Sequence, residues 1–277
     1  MKVYYFSKGK SMNYLQNKRV LLTGASSGIG KEMSKLLIQK YGASVIGIGR
    51  NEDKLQALQE ELGEKFSYQV MDVSVKENWG NLAQKLKTEG AGVDLLINNA
   101  GIFPQFERVE NMTSEQIQAV MNVNFYASVY AVEALLSVLG KEGGIVNICS
   151  SGALCTVVGT SAYSASKSAM KGYTEALALE ERERYVGLIF PGTTATELFR
   201  NDKNTKNSAL DLVAMPAKKM AKKILKKIAK KRKRAVVGWD AKAMNLTAKL
   251  APVWGLRIIC AVMRLSKSKV FGRVFKK

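Results

Sequence analysis

Tyr163 and Lys167 stand four residues apart in the stretch Ser161-Ala162-Tyr163-Ser164-Ala165-Ser166-Lys167. If this stretch opens a helix, the phenol and the ammonium share one face, one turn from each other. A phenol with a reference pKa of about 10 is a poor acid or base at neutral pH. An ammonium held nearby favours the phenolate and brings the group within range of general acid–base work. The spacing alone is weak, because Tyr4/Lys8 and Tyr14/Lys18 repeat it in what reads as an N-terminal tail, residues 1–17. Context singles out the third pair. A Ser150-Ser151 pair lies upstream of it, after the apolar run Ile145-Val146-Asn147-Ile148-Cys149, and a glycine-rich turn from Thr23 to Gly30 precedes both.

The chain has 277 residues and no histidine. Ser-His-Asp and Cys-His catalysis are thereby excluded, and no zinc site is expected. Its three cysteines, Cys149, Cys155 and Cys260, form no CxxC pair. An odd, scattered set points to a reduced, cytoplasmic setting rather than a disulfide framework. Strand-like and helical stretches alternate with no Pro/Gly/Ser-rich linker between them, which predicts one α/β domain over residues 18–239. The first residues carry no long apolar core and no small-residue cleavage site, so a signal peptide is not expected.

The elements that must position the chemistry follow in order. Arg19-Val20-Leu21-Leu22 reads as a buried strand that runs into Thr23-Gly24-Ala25-Ser26-Ser27-Gly28-Ile29-Gly30. Ile29, Met33, Leu36 and Leu37 then recur at helical spacing. In that setting glycines let the backbone approach a pyrophosphate, and the helix start offers free N–H groups. The plainer alternative is a tight turn with no ligand. A second strand, Ser44–Gly49, ends at Arg50-Asn51, twenty residues beyond Gly30. A carboxylate there would hold a ribose 2′-hydroxyl, whereas the planar fork of an arginine suits a 2′-phosphate. The reading is NADP(H) over NAD(H), with a solvated Arg50 as its rival. Asn51 is placed to cap the next helix. Asp72, before Val73, closes strand three and either accepts from an adenine amine or caps Ser74 onward.

Strand four, Asp94–Ile97, leads into Asn98-Asn99-Ala100-Gly101, amides and a glycine suited to a crevice at strand ends. Thr113-Ser114-Glu115-Gln116 reads as a capping box starting one long helix to Leu139. Asn124 interrupts its apolar run, either as a satisfied core amide or as part of a polar relay. Strand five is Ile145 to Cys149 and strand six Val186 to Phe190, which Pro191-Gly192-Thr193-Thr194-Ala195-Thr196 ends abruptly. The polar stretch Glu197 to Met215 reads as a mobile lid.

Together these residues resemble the short-chain dehydrogenase/reductase family from about Lys18 to Val237. Its TGxxxGxG turn is matched by Thr23, Gly24, Gly28 and Gly30, with Ser26, Ser27 and Ile29 inside it. Its NNAG is matched by Asn98 to Gly101, its YxxxK by Tyr163/Lys167, and its PG turn with a later threonine by Pro191, Gly192 and Thr196, with Thr194 between. The family's serine lies thirteen before the tyrosine, which selects Ser150 over Ser151. The resemblance implies a Rossmann-like three-layer sandwich around a mostly parallel sheet of about seven strands, and usually a homodimer or homotetramer. It also implies hydride exchange between a nicotinamide and a carbonyl or alcohol. By that analogy Tyr163 is the acid/base, Ser150 holds the substrate oxygen, and Lys167 lowers the phenol pKa and binds the nicotinamide ribose. Asn124, by the same analogy, anchors a water of the proton relay. The chain departs from the pattern where Glu180 to Arg184 runs almost straight into strand six, and where Cys149 replaces the first serine of the usual pair.

The last fifth is different in kind. Of the net charge of +20, residues 217–277 hold 20 Lys/Arg against one acid, Asp240. Met220, Ala221, Ile224, Leu225 and Ile228 form one apolar helical face in the cationic run Lys218–Arg234, and Ala235–Gly238 reads as the last strand. Residues 240–277 form a basic amphipathic extension in which Lys242, Lys249, Arg257 and Arg264 share one narrow sector of the helical wheel. Its uncharged runs are too short to span a bilayer, and Pro252 breaks or kinks the helix. The shape fits an interfacial helix on an anionic membrane, the inner face for a cytoplasmic protein. Rivals are packing on the body or a second copy, and docking to an acidic carrier protein. No base-reading motif or stacking platform points to specific nucleic-acid binding. Leu154, Val157, Val158, Phe103 and Pro104 predict an apolar pocket. The leading expectation is an NADPH-dependent carbonyl reductase, or the reverse dehydrogenase, for a lipid-, steroid- or long-chain-like substrate. The alternatives are a 3-oxoacyl-carrier-protein reductase and a non-catalytic NADP-sensing protein.

Overall fold

The computed structural model describes residues 13–196, 198, 214–266 and 268–275. Seven strands form one sheet: β1 (Arg19–Thr23), β2 (Ser44–Gly49), β3 (Phe66–Val70), β4 (Val93–Asn98), β5 (Leu139–Ile148), β6 (Tyr185–Pro191) and β7 (Arg234–Val237). Their order is β3-β2-β1-β4-β5-β6-β7, and every pairing is parallel. The helices α1 (Gly28–Tyr41), α2 (Glu52–Leu62), α3 (Lys76–Thr88), α4 (Ser114–Met121), α5 (Ala127–Leu135), α6 (Ser161–Glu180) and α7 (Ala217–Ile228) connect them.

The sheet is buried on both faces, so its strands are continuously apolar and alternate between two cores. Val20, Leu22, Leu95, Ile97, Val146 and Ile148 face one core with Met33, Leu37, Leu55 and Leu58 of α1 and α2. Leu21, Leu96, Ile145 and Val186 face the other with Trp79, Leu82 and Leu86 of α3 and Ala131 and Leu135 of α5. Helix α7 carries six lysines yet forms. Met220, Ala221, Ile224, Leu225 and Ile228 are all fully buried, and its four large apolar side chains contribute about 1.5–3 kcal/mol each. Like-charge pairs on its outer face cost only a few tenths each.

The strand order reverses between β1 and β4, and the crevice at the C-terminal end of that junction is where such sheets bind ligands. Asn51 caps α2 as expected, accepting from Lys54 N at 2.8 Å. Both halves of the capping box at Thr113 and Gln116 are present. Several boundaries differ from the sequence reading. The helix expected to run to Leu139 loosens into a π turn at Asn122–Tyr126 and ends at Leu135. Leu139 instead opens β5, paired with Val93 and buried, because an apolar residue satisfies a sheet as well as a helix. Strand β5 stops at Ile148, one residue before Cys149, and β6 begins at Tyr185, with four residues between it and the Glu180 end of α6.

Of the segment read as a tail, Leu15 is fully buried and Tyr14 packs edge-on against Tyr185, ring centroids 5.3 Å apart. The expected C-terminal helix breaks at Pro252 into α8 (Trp239–Leu250) and α9 (Trp254–Leu265), and a final turn of helix follows at Gly272–Phe275. Of the stretch read as a lid, residues 197 and 199–213 lie outside the described residues.

Candidate active site

The glycine turn leaves β1 through Gly24 (φ 69°) and enters α1 at Gly28 (φ 51°), both in the left-handed region that favours glycine. Thr23 locks this turn to the end of β4. Its hydroxyl accepts from Asn99 N and Ala100 N, both at 2.9 Å, while Asn99 Nδ2 donates to the Thr23 carbonyl at 3.0 Å. Ser27, at the N-cap of α1, makes no side-chain cap, and the first turn has no acid. The helix start therefore keeps N–H groups and positive dipole for an anion.

A cleft of about 360 Å³ opens here, lined by Gly24, Ser27, Gly28, Ile29, Arg50, Asn99, Ala100, Gly101, Ser150, Tyr163, Lys167, Pro191, Gly192, Thr194 and Thr196 among others. The structure thus brings together most residues picked from the sequence. Thr23 and Gly30 support the cleft from below, and Ser26 lies beside Gly49 at the end of β2. Asp72 does not line it. Its Oδ1 accepts from Ser74 N and Ser74 Oγ, the bonds that the capping alternative expects, and its Oδ2 is 3.9 Å from Arg50. Val73 is buried, its carbonyl accepting from Trp79 Nε1.

Tyr163 is 8% and Lys167 3% exposed, both on the first turns of α6. Ser150 reaches Tyr163 from the end of β5 and is hydrogen-bonded to its hydroxyl. Burial pushes the Tyr163 phenol up to about 12, and the Ser150 hydroxyl pulls the other way. The expected lowering by Lys167 is not found. Burial also lowers the pKa of Lys167, and its ammonium donates to the Ile148 carbonyl at 3.3 Å. Desolvation of the phenol outweighs its neighbours.

Asn124 lies in the π turn, a local widening that aims its side chain inward. It is fully buried: Oδ1 accepts from Ile102 N at 2.7 Å, and Nδ2 donates to Ile102 O at 3.0 Å and Ser166 Oγ at 3.1 Å. The amide is satisfied by the fold and braces the loop after Asn99-Ala100-Gly101.

The packing around Tyr163 is apolar, and Phe103 and Leu198 from it line the cleft. Phe103 meets the Tyr163 ring edge-on at 5.2 Å and Phe106 at 4.9 Å, with Val157, Val158 and Leu198 packed alongside. Leu154 packs instead against the cluster of Cys149, Met170, Leu188 and Phe190, and Pro104 is exposed. Phe271 and Val274, missed from the sequence, are buried against Phe106 and the Tyr163 cluster. Aromatic residues inside the cationic tail were the available signal. Ile102, Thr193 and Ser151, also unforeseen, line the cleft. No group of His, Cys, Asp and Glu among the described residues is placed to hold a metal.

A parallel sheet with a glycine turn, a buried Tyr-Lys pair and a serine at one crevice defines a dinucleotide-dependent oxidoreductase. The comparisons make this specific: a family model described as short chain dehydrogenase matches residues 18–207, and the chain belongs to that family. The uncharacterized oxidoreductase SSP1627 of Staphylococcus saprophyticus is 32% identical over 212 residues, spanning 73% of this chain and 85% of that one. The 3-ketodihydrosphingosine reductase of Bos taurus is 32% identical over 207 residues, 69% of this chain and 61% of that protein. A solved short-chain dehydrogenase from Streptomyces avermitilis has a TM-score of 0.75 at 26% identity, covering 89% of this chain and 97% of that one.

Proposed function

We propose that the protein is an NADP(H)-dependent carbonyl reductase, or the reverse alcohol dehydrogenase, acting on a hydrophobic substrate as a homodimer or homotetramer. The observation that carries the substrate class is the apolar cluster packed around the Tyr163 ring, from which Phe103 and Leu198 line the cleft. The phenol and Ser150 are then the groups that meet the substrate oxygen. In this reading Tyr163 gives its proton to the carbonyl oxygen, Ser150 holds that oxygen, and the reduced nicotinamide supplies the hydride when bound. The uncapped start of α1 would hold the pyrophosphate and Lys167 the nicotinamide ribose. The keto group and the reduction in the name of the bovine 3-ketodihydrosphingosine reductase agree with a carbonyl as the reacting group.

Arg50 would carry the cofactor preference. Its side chain is 69% exposed at the cleft rim, and its 3.9 Å pairing with Asp72 is loose. Such an exposed pair contributes little to the fold, which frees the guanidinium for a 2′-phosphate. The test is NADPH oxidation against ketones graded by chain length, with NADH as control. NADPH and the longer chains are expected to be favoured. Arg50→Ala should raise the KM for NADPH about ten- to a hundredfold, the loss of one or two charged hydrogen bonds, and leave that for NADH unchanged. Equal turnover of NADH and NADPH by the unaltered protein, or a preference for small polar ketones, would overturn the reading.

A further inference from the structure

Nine of the fourteen large apolar side chains exposed among the described residues lie between Trp239 and Leu265. One short segment thus holds most of them, which scattered surface exposure does not explain. The two helices also repeat each other. Trp239, Lys242, Lys249 and Leu250 of α8 are matched fifteen residues later by Trp254, Arg257, Arg264 and Leu265 of α9. At about 100° per residue each helix carries an apolar stripe beginning with its tryptophan, edged on one side by its two cations. In α9 the stripe is Trp254, Ile258, Val262 and Leu265, each at least 60% exposed, while Gly255 at its edge is buried against Thr247 of α8 and Met263 on the opposite face packs toward the Tyr163 cluster.

This segment is tied to the cleft at both ends. At its start, the buried Asp240 carboxylate accepts from Thr193 N at 2.5 Å and fills the space that a side chain at Gly192 would need. Gly192 and Thr193 both line the cleft. At its end, Phe271 and Val274 are buried against Phe106 and beside Gly159, and Arg273 pairs with the Glu107 carboxylate at 3.4 Å. The chain therefore leaves the cleft at Gly192 and Thr193, presents two apolar stripes edged with cations, and returns to pack against the Tyr163 cluster.

We propose that α8 and α9 seat the protein on an anionic phospholipid surface, with the substrate mouth beside the lipid. Docking stands on the helices alone; only its use, delivery of an apolar substrate, rests on the reductase reading. Charge and shape choose the occupant. Residues 217–277 carry 20 Lys/Arg and one acid, which suits an anionic leaflet. Tryptophans on an apolar stripe edged by cations suit the headgroup boundary. No helix among the described residues is long and apolar enough to cross a membrane. A second copy would set like charges against each other, and an acidic protein would leave the exposed stripe unexplained.

The experiment is sedimentation of the full chain with vesicles of phosphatidylcholine, alone or with about one-third phosphatidylglycerol, at low and high salt. Binding is expected only with phosphatidylglycerol and should weaken with salt. The double substitution Arg257→Gln/Arg264→Gln should weaken it about thirtyfold, and Trp254→Ser/Ile258→Ser at least tenfold. Both variants should keep turnover of a small soluble ketone. Vesicles should speed turnover of a long-chain ketone by the unaltered protein and not by the Trp254→Ser/Ile258→Ser variant. Absent sedimentation, or sedimentation unaffected by both variants, overturns the docking. So does loss of a dimer in either variant, which would make the stripe an interface between copies. Failure to oxidise NADPH while vesicles still bind would instead overturn the reductase reading alone.

Discussion

Tyr163→Phe should lower ketone reduction about a thousandfold and leave NADPH binding unchanged. General acid catalysis by a positioned group contributes about a hundred- to ten-thousandfold, and here the acid is sealed in. Its phenol is 8% exposed and is pushed up to about 12 by burial. At neutral pH it therefore carries its proton, ready to donate. Ketone reduction should stay flat through the neutral range and fall only as pH approaches the phenol pKa. Alcohol oxidation needs the phenolate, so its rate should climb about tenfold per pH unit below that pKa. The phenylalanine variant should lose the slope as well as the rate. Little else changes in it, since Ser150 Oγ still accepts from Gly152 N at 3.1 Å and one lost hydrogen bond costs about 1 kcal/mol. Steady-state rates in both directions across pH, with dinucleotide binding followed by fluorescence, check the prediction. A slope retained by the variant would assign the proton to another group.

The legible parts of this chain are those whose cause is local. Strand, glycine turn and helix from Arg19 to Tyr41 follow from an apolar run, a glycine-rich turn and apolar residues at helical spacing, all visible in the letters. The capping at Asn51 and Thr113 is equally local. Tyr163 and Lys167 could be placed on one helix face from their spacing, but their burial could not. That is why the phenol was expected to fall in pKa and instead rises. The apolar run from Ile117 to Leu139 suits helix and sheet alike, so the sequence does not show where it ends. The π turn that swings Asn124 inward depends on partners at Ile102 and Ser166, 22 residues before it and 42 after. The return of Phe271 and Val274 to the site crosses more than a hundred residues of chain. Contacts at such separation are set by the whole fold, and only the aromatic character of the tail hinted at them.

Gly30→Ala should reverse the sign that the same change has elsewhere in the chain. Gly30 lies inside α1 with an ordinary helical backbone, so conformational freedom is not its reason. Space is. A Cβ there would overlap the Gly24 carbonyl and come within 2.8 Å of Asn99 Nδ2. Neither is the loose end of a flexible side chain: Gly24 is backbone of the turn, and Asn99 is held to Thr23. The turn must move away from β4, which loosens the Thr23 lock and displaces the helix start from the pyrophosphate position. Overpacking of this kind costs about 1–3 kcal/mol. The variant should melt several degrees lower and show a raised KM for the dinucleotide. Gly80 in α3 and Gly172 in α6 are exposed, helical, and have nothing within 4 Å of a Cβ. Alanine at either should stabilise the protein by about 0.5–1 kcal/mol, because it lowers the entropy of the unfolded chain and strengthens the helix. Thermal melts of the three variants with and without NADPH decide the matter. A Gly30→Ala protein as stable as its Gly80→Ala counterpart, with an unchanged cofactor KM, would mean that close approach of α1 to β4 does not build the dinucleotide site.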